Sequence, residues 1–225
     1  MQRHAQRLLE LGRQFSRFSP RTLARSCYLS RKHTTRWSSL VIGRTALCEI
    51  AAGADINIAP DARLLFATED REFGATHPEL TKAMLRLDSS AELRLPSGHA
   101  RVGPGSIVHI EGTFEMGDSY INSHTRILCG DSISIGDDCA LAWNVELLDD
   151  DRHQLRVEGT QTTKSDPIVI EDDVWIGNNV LVKKGVHVGE GAVIGSGSVV
   201  TDDIPAQTLA VGNPAEVIYD DVSWQ

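Results

Sequence analysis

The sequence predicts an all-β fold, a parallel β-solenoid, and three observations support this class. Aliphatic residues recur every six positions through much of the chain. Aromatic residues make up only 5% of the 225 residues, so the core is expected to be mainly aliphatic. Fifteen of the nineteen glycines lie from residue 98 onward, where repeated corners need backbone freedom.

The repeat is clearest from Ile170, where the chain divides into six hexads. The first position is always aliphatic: Ile170, Ile176, Val182, Val188, Ile194 and Val200. The fifth is small or β-branched: Val174, Val180, Val186, Ala192, Ser198 and Ile204. A period of six fits neither the 3.6-residue period of a helix nor the two-residue period of a strand, and it favours a solenoid.

The same pattern appears upstream, at 102–107 and 135–146. Between about 108 and 134 the register slips, so these coils are predicted to be present but irregular. Residues 41–47 and 54–64 look like the first and least regular coils.

One segment, about 66–92, breaks the repeat. It is predicted to be an insertion that contains a short helix over 78–87 and that folds over a neighbouring surface.

The net charge of −9 is the sum of two opposed regions. Residues 1–44 hold ten Lys or Arg and one acid, a balance of +9, whereas the remainder holds twelve bases and thirty acids, a balance of −18. An acidic body argues against general nucleic-acid binding, because neutralising phosphates requires a basic face.

The basic segment, residues 1–40, is predicted to be an arm with an amphipathic helix that breaks near Pro20. Its apolar stripe holds Leu8, Leu11, Phe15 and Phe18, with Arg3, Arg7, Arg13 and Arg17 off the stripe. Three interpretations stay open. The helix packs on the body or on a neighbouring subunit, it contacts an anionic membrane or a glycan, or it is a mitochondrial presequence.

Four cysteines (Cys27, Cys48, Cys129 and Cys139) lack C-x-x-C spacing, which argues against a zinc site or a disulfide framework. No apolar run approaches the roughly 20 residues that span a bilayer, and the N-terminal region lacks the apolar stretch of a secretory signal. These features predict a cytoplasmic protein, and the arm allows peripheral contact with the inner membrane face.

The hexads resemble those of the hexapeptide-repeat acyltransferases. In that family three hexads make one triangular coil of a left-handed parallel β-helix, so the left hand is implied by the resemblance alone. The domain prediction is a basic arm over 1–40, a β-helix over 41–218 and a tail over 219–225. Stacked coils need caps, and the arm is expected to cover one end.

Within that family the chain resembles the maltose, galactoside and colanic-acid type O-acetyltransferases. The resemblance covers about 100–218 and is most specific over 141–215. Its most specific motifs are LLDDDRHQL (147–155) and VWIG (174–177). In that branch a histidine at the end of a D-x-D-x-H run protrudes from a coil and acts as general base.

The resemblance assigns this general base to His153, preceded by Asp149 and Asp151. An imidazole with a pKa near 6.5 suits removal of a proton from a sugar hydroxyl as that hydroxyl attacks a thioester. Asp151 or Asp149 is expected to fix the tautomer of the ring. The substrate is the nucleophile, so no catalytic Ser or Cys is required.

The same resemblance implies an acceptor site and an acetyl-CoA site. Asn144 matches a position near the acceptor pocket. Trp175 matches a residue that lines the cleft, with packing at a subunit interface as the equal alternative. The N–H of Asn178 matches the oxyanion donor. Further positions implied for acetyl-CoA are Gly177, Gly195, Ser196 and Thr201.

Two acids depart from the family pattern. Relatives often have Lys or Arg where this chain has Asp202 and Glu216, and acids there would repel the 3′-phosphate of coenzyme A. Lys183 and Lys184 are the nearest bases in the sequence. Either a neighbouring subunit supplies the charge or coenzyme A binds more weakly.

Other functions are weaker matches. His99, His109, His124 and His187 lack the close pair of zinc histidines that γ-class carbonic anhydrases use on this fold, so no metal is expected. A serine-acetyltransferase-like enzyme fits DRH (151–153), but that group lacks VWIG and carries a larger helical N-terminal domain. A non-catalytic scaffold leaves the His and Trp motifs unexplained.

The sequence therefore predicts an acetyl-CoA-dependent O-acetyltransferase that modifies a hydroxyl of a sugar or polysaccharide, in polysaccharide biosynthesis. In the family each active site lies between two subunits, which implies a homotrimer with three composite sites. A carbohydrate acceptor is the expected partner, and nucleic acid is not.

Overall fold

The structure is a computed structural model that describes residues 20–33, 39–43, 46–68 and 82–224. Within these ranges one α-helix is followed by 24 short β-strands. The strands wind into a left-handed parallel β-helix, which confirms the predicted fold class.

Each coil contributes one strand to each of three faces. The first three coils hold β1 (Leu40–Ile42), β2 (Leu47–Ile50), β3 (Asp55–Ile58), β4 (Arg63–Phe66), β5 (Met84–Leu87), β6 (Glu92–Leu95), β7 (His99–Val102), β8 (Ile107–Ile110) and β9 (Thr113–Met116). Next come β10 (Tyr120–Ile121), β11 (Arg126–Cys129), β12 (Ser132–Ile135), β13 (Ala140–Leu141), β14 (Glu146–Leu148), the hairpin strands β15 (Arg156–Val157) and β16 (Thr160–Gln161), and β17 (Ile168–Ile170). The last are β18 (Trp175–Ile176), β19 (Leu181–Lys183), β20 (His187–Val188), β21 (Val193–Ile194), β22 (Val199–Val200), β23 (Thr208–Gly212) and β24 (Ala215–Asp220).

The three faces enclose a triangular prism. Face A has the order β1-β4-β7-β10-β13-β18-β21-β23-β24, face B β2-β5-β8-β11-β14-β19-β22, and face C β3-β6-β9-β12-β17-β20. Edge AB is the corner where the chain passes from face A to face B, and it includes 122–125, 142–145, 177–180 and 195–198. Edge BC is the corner from face B to face C, and it includes 111–112, 130–131, 149–167, 184–186 and 201–203.

The hexad positions build the core of this prism. All six first-position residues are at most 1% exposed, and all six fifth-position residues are at most 4% exposed. Equivalent residues stack from coil to coil: Ile176 is in register with Leu141 on one side and with Ile194 on the other. The predicted repeat is therefore confirmed as a set of buried aliphatic columns.

The coils between 108 and 134 are present, as predicted, but they are regular. β8, β9, β11 and β12 are four-residue strands whose inward residues are buried in alternation. Stacked partners Ile121 and Leu141 are 20 positions apart, whereas Ile176 and Ile194 are 18 apart. The apparent slip of the six-residue register is thus a difference in coil length. Longer coils shift the hexad count, but equivalent residues still stack on one another.

The predicted insertion over 66–92 is shorter than expected, and the predicted helix over 78–87 is wrong at its C-terminal end. β5 lies on face B, paired with β2 and β8, and β6 lies on face C. Leu85 and Leu87 are buried on either side of the exposed Arg86, which is the two-residue period of a strand with one buried face. Residues 69–81 lie outside the described ranges.

The helix α1 (Pro20–His33) covers the first coil, as expected of the arm. It begins at Pro20, because proline is pre-organised for the first helical position. Ser30 Oγ accepts the N–H of Leu40 at 3.0 Å and donates to its carbonyl at 2.9 Å, and Ser26 Oγ accepts the N–H of Ile42 at 3.0 Å. Two serines one helical turn apart thus supply hydrogen-bond partners for the backbone groups on the outer edge of β1. The predicted helix around Leu8–Phe18 lies outside the described residues.

At the opposite end, β24 pairs antiparallel with β23 and closes face A. Because β24 extends to Asp220, the predicted start of the tail at 219 falls inside a strand. The chain then folds back, and the N–H of Val222 donates to the Gln207 carbonyl at 2.9 Å. Within the described ranges, no helix combines the length and apolar character needed to cross a bilayer.

Candidate active site

A shallow groove of about 190 Å³ runs along edge AB over four consecutive coils. It is lined by aromatic and polar side chains that include Tyr120, Asn122, Trp143, Trp175, Asn178 and Ser196. The sequence predicted site roles for Trp175, Asn178 and Ser196 but not for Tyr120, Asn122 and Trp143. The register of the coils could have identified Tyr120, because Tyr120, Ala140 and Trp175 are successive partners on face A.

Three residues predicted to bind acetyl-CoA meet in this groove. The N–H of Asn178 donates to Ser196 Oγ at 3.1 Å. A Cβ on Gly177 would lie 2.7 Å from the Ser196 nitrogen, so only glycine allows this approach of neighbouring corners. Gly195 borders the same corner, and a Cβ there would lie 2.5 Å from Val211 Cγ1. The predicted oxyanion donor, the N–H of Asn178, therefore has a hydrogen-bond partner within the chain.

Asn144 lies on edge AB but is used by the corner itself. Its φ is 59°, in the left-handed region that asparagine tolerates, and its Nδ2 donates to Asn179 Oδ1 at 2.8 Å. The groove is lined instead by its neighbour Trp143, whose N–H donates to Asn178 Oδ1 at 3.1 Å. A bonded amide in this position supports the corner more directly than it supports an acceptor pocket.

Trp175 lines the groove and is 43% exposed. Its ring packs against Trp224, with 6.1 Å between centroids and an interplanar angle of 44°. The indole N–H of Trp224 donates to the Asp173 carbonyl. Sequence reasoning missed Trp224, because nothing in the terminal segment shows that it folds back along face A.

The acidic run on edge BC is not a solvated turn. Asp149 is fully buried, and its two carboxylate oxygens accept the N–H of Gly130 at 2.6 Å and of Asp131 at 2.9 Å. Burial raises the pKa of Asp149, and the N–H donors oppose that change. Both Asp149 oxygens accept N–H groups of the preceding coil, and the role of Asp149 in orienting His153 stays a prediction.

Asp150 and Asp151 also have separate partners. Asp150 is 6% exposed and pairs with Lys164 at 3.0 Å. Asp151 pairs with Lys183 and Lys184, each at 2.7 Å. Hydrogen bonds from these two lysines lower the pKa of Asp151. The structure therefore pairs Asp151 with the two lysines, and its role in orienting His153 stays a prediction.

The same contacts involve Lys183 and Lys184, whose role in binding coenzyme A stays a prediction. Both ammonium groups are paired with Asp151, and Lys184 also donates to the Thr163 carbonyl. Their charge is thus used to attach the excursion of residues 149–167 to β19. Thr201, on the same edge, donates to Asp202 at 2.8 Å.

His153 lies in this excursion, just after its anchored base. The base is a β-like neck in which Asp150 bridges Ser165, and the hairpin of β15 and β16 forms the tip. Within the described residues the exposed His153 side chain has no hydrogen-bond or ion-pair partner. Its imidazole is therefore open to an external ligand.

The predicted site residues fall on two different edges. Asn144, Gly177, Asn178, Gly195 and Ser196 lie on edge AB, with Trp175 beside them on face A. Asp149, Asp151, His153, Lys184 and Thr201 lie on edge BC, with Lys183 at the end of β19. Face B separates the two groups within one chain. The structure does not bring His153 to the groove of its own chain.

A second charged cluster lies on edge BC and on the adjacent part of face B. Ligand atoms of Asp88, His109 and Glu111 lie within 4.8 Å of one another. Arg86 pairs with Asp88 at 2.9 Å, and Arg152 pairs with Glu111. Because each carboxylate already faces an arginine, this cluster is an ion-pair network rather than a site suited to a cation.

Comparison with known proteins gives consistent matches. Residues 167–202 match the family model of the bacterial transferase hexapeptide (six repeats). The galactoside O-acetyltransferase of Escherichia coli (strain K12) is 36% identical over 169 residues, which cover 71% of this chain and 79% of that protein.

Two solved structures are similar to the chain. The polySia-specific acetyltransferase NeuO has a TM-score of 0.50 and 21% identity, covering 83% of this chain and 89% of its own. A hexapeptide-repeat acetyltransferase from Vibrio cholerae O1 biovar eltor, complexed with acetyl coenzyme A, has a TM-score of 0.49 and 30% identity, covering 56% and 70%.

Proposed function

We propose that this chain, which belongs to the hexapeptide-repeat acetyltransferases, transfers the acetyl group of acetyl-CoA to a hydroxyl of a sugar or polysaccharide. Family membership rests on the 36% identity to galactoside O-acetyltransferase over 79% of that protein. The observation that carries the reaction is the exposed, unpartnered His153 on an anchored excursion. That arrangement suits a base that must reach a proton on a bound substrate.

In the proposed reaction His153 removes the proton of the acceptor hydroxyl as the oxygen attacks the thioester carbonyl. The tetrahedral intermediate then collapses, the C–S bond breaks, and the imidazolium returns the proton to the leaving thiolate. The N–H of Asn178 would stabilise charge on the carbonyl oxygen, a contribution of roughly 3–4 kcal/mol for such donors. Because that N–H is bonded to Ser196 Oγ, the carbonyl must displace the hydroxyl.

We further propose that the active site is composite and that the protein is a homotrimer. His153 on edge BC and the groove on edge AB are separated by face B in one chain. If edge BC of one copy packs against edge AB of the next, His153 faces the neighbour's groove. Three-fold closure forms this contact three times, so that every edge AB and every edge BC of the assembly is paired.

Mixing two inactive variants tests the composite site. His153→Ala lacks the base, and Ala142→Trp fills the groove, which Ala142 lines. Random re-association of equal amounts should restore about a quarter of wild-type activity, because that fraction of interfaces pairs an intact base with an intact groove. No recovery in verified mixed oligomers would place the site within one chain. Full activity at a hydrodynamic mass near 24.6 kDa would contradict the trimer.

A screen of acceptors with acetyl-CoA, with detection of released thiol, tests the reaction itself. Thiol release that depends on a galactoside or a polysaccharide supports the proposal. Release with serine alone would assign the chain to the amino-acid branch. An intact assembly that releases no thiol with any acceptor would favour a scaffold.

The proposed nucleotide end of the acetyl-CoA site is acidic. Asp202 is exposed beside Thr201, and Glu216 is exposed on β24. Since Lys183 and Lys184 pair with Asp151, the proposal includes weak binding of the 3′-phosphate within one chain. Asp202→Lys should lower the KM for acetyl-CoA but not for its 3′-dephospho analogue.

The proposal places the reaction in the cytoplasm. All four cysteines are described and none forms a disulfide, which supports a reducing compartment. Peripheral membrane contact through the arm stays a prediction, because residues 1–19 lie outside the described ranges.

A further inference from the structure

The side chains of Arg86, Asp88, His109, Glu111 and Arg152 form a series of close contacts that ends beside His153. Arg86 pairs with Asp88, and His109 Nε2 lies 3.4 Å from Asp88 and 3.6 Å from Glu111. Glu111 then accepts a hydrogen bond from Arg152 Nη1. The His109 side chain is only 16% exposed, so the middle of this network is sheltered from solvent.

Arg152 is held at its backbone as well as at its side chain. Its φ is 63°, in a left-handed region that disfavours residues with a side chain. Its N–H donates to Asp150 Oδ1. Asp150 in turn lies against Gly130, where a Cβ would be 2.6 Å from Asp150 Cβ. Two contacts from different parts of the fold therefore fix an unfavourable conformation immediately before His153.

We propose that Glu111 is a positioning residue for His153 and acts by clamping Arg152. This inference rests on the proposed function, in which His153 is the base. Fixing the backbone of Arg152 fixes the direction in which the next side chain leaves the excursion, and productive geometry tolerates errors of only about 0.5 Å. An isolated exposed ion pair would hold the segment poorly. The partly exposed Arg152–Glu111 pair is supported by the contacts of Glu111 with His109 and by the second contact at the Arg152 backbone.

The primary test compares Glu111→Gln with the control Glu115→Gln, whose carboxylate lies 4.0 Å from Arg94 on face C and does not contact the excursion. Glu111→Gln should lower kcat about 3- to 10-fold and leave the KM for acetyl-CoA unchanged, because only alignment of the base is lost. Amide hydrogen exchange over residues 151–154 should become faster. The control should change neither quantity.

The double variant Glu111→Arg with Arg152→Glu reverses the two charges of the pair. It should regain at least half of the kcat that Glu111→Gln loses, and its amide hydrogen exchange over residues 151–154 should be slow again. Unchanged exchange in Glu111→Gln would show that there is no clamp. Faster exchange with wild-type kcat would show that the clamp does not position the base. If the wild-type protein modified no acceptor, the proposed function would fail, yet hydrogen exchange would still decide whether Glu111 holds this segment.

Discussion

Edge AB and edge BC turn the same solenoid in different ways. Edge AB repeats one short corner, with left-handed residues stacked at Gly105, His124, Asn144, Asn179 and Gly197. Edge BC is interrupted between β14 and β17 by the excursion of residues 149–167. The regular edge forms a groove because each corner repeats the one before it. The interrupted edge carries an exposed histidine because the chain leaves the stack there.

The two edges are also stabilised differently. Edge AB uses neutral hydrogen bonds between successive corners, such as Asn144 to Asn179 and Asn178 to Ser196. The excursion is attached by ion pairs and by the buried carboxylate of Asp149. Substitutions at edge AB should therefore change ligand binding, whereas those at the base of the excursion should change stability and alignment.

The largest expected effect is that of His153→Ala. Loss of a general base should lower turnover at least about 100-fold. The free energy of unfolding should stay within about 0.5 kcal/mol of wild type, because the side chain is exposed. Steady-state kinetics and chemical denaturation measure the two quantities. Wild-type turnover in this variant would remove His153 from the mechanism.

Asp149→Ala should lower the free energy of unfolding by about 2–4 kcal/mol, because two partly buried N–H groups lose their acceptor. Asp172→Ala is the matched control, since exposed Asp172 accepts a single N–H, that of Asp137. It should cost less than about 1 kcal/mol. Normal stability combined with lost turnover would instead support the predicted catalytic role of Asp149.

Ser196→Ala distinguishes two oxyanion donors at edge AB. If the N–H of Asn178 is the donor, removing the hydroxyl that occupies it should raise kcat/KM about two- to five-fold, the worth of a modest net hydrogen bond. Ser196→Thr keeps the hydroxyl and serves as control. A tenfold loss in the alanine variant would assign the oxyanion contact to the hydroxyl.

Asp151→Asn should lower kcat by less than about tenfold, through looser attachment of the excursion. The exposed Asp61, changed to Asn, is the control.

The folded pKa of Asp151 is lowered by the lysines, so its stabilisation is present above the ordinary carboxyl pKa of about 3.9 and is lost as the pH falls below it. In the wild type, the protection of the amides of residues 150–166 against exchange, relative to their intrinsic rates at the same pH, should fall in that acid range. If Asp151→Asn lowered kcat as much as His153→Ala does, Asp151 would be in direct contact with the acceptor.

The smallest expected effect is at the terminal segment. Trp224→Ala should cost about 0.5–1.5 kcal/mol of stability. In a background in which Trp37 and Trp143 are changed to Phe, it should also shift the emission of Trp175 to longer wavelength. Trp224→Phe keeps a ring against Trp175 but loses the hydrogen bond to the Asp173 carbonyl. Its stability should lie between that of the wild type and that of Trp224→Ala. Unchanged emission in the alanine variant would show that the rings do not pack in solution.

Much of edge AB could be anticipated from residues alone. The six-residue period places Gly177, Asn178 and Ser196 at equivalent corners of adjacent coils, so a contact among them follows from the repeat. Tyr120 was missed because longer coils upstream shift the hexad count. Trp143 lies in a hexad that was recognised, but the sequence alone did not show that its ring lines the groove. The contacts of edge BC could not be anticipated, since Asp149 and Asp151 look alike in sequence yet one is buried and the other pairs with lysines.

The hexads were sufficient to establish the prism, its aliphatic columns and the family, because burial of one residue in each short strand is a local rule that every coil repeats. Local rules say nothing about where a long charged side chain finds its partner. Arg152 meets Glu111 across 41 positions only because stacking brings separate corners of edge BC together. The separation of His153 from the groove likewise depends on which edge the excursion leaves, and that is decided by the packing of whole coils.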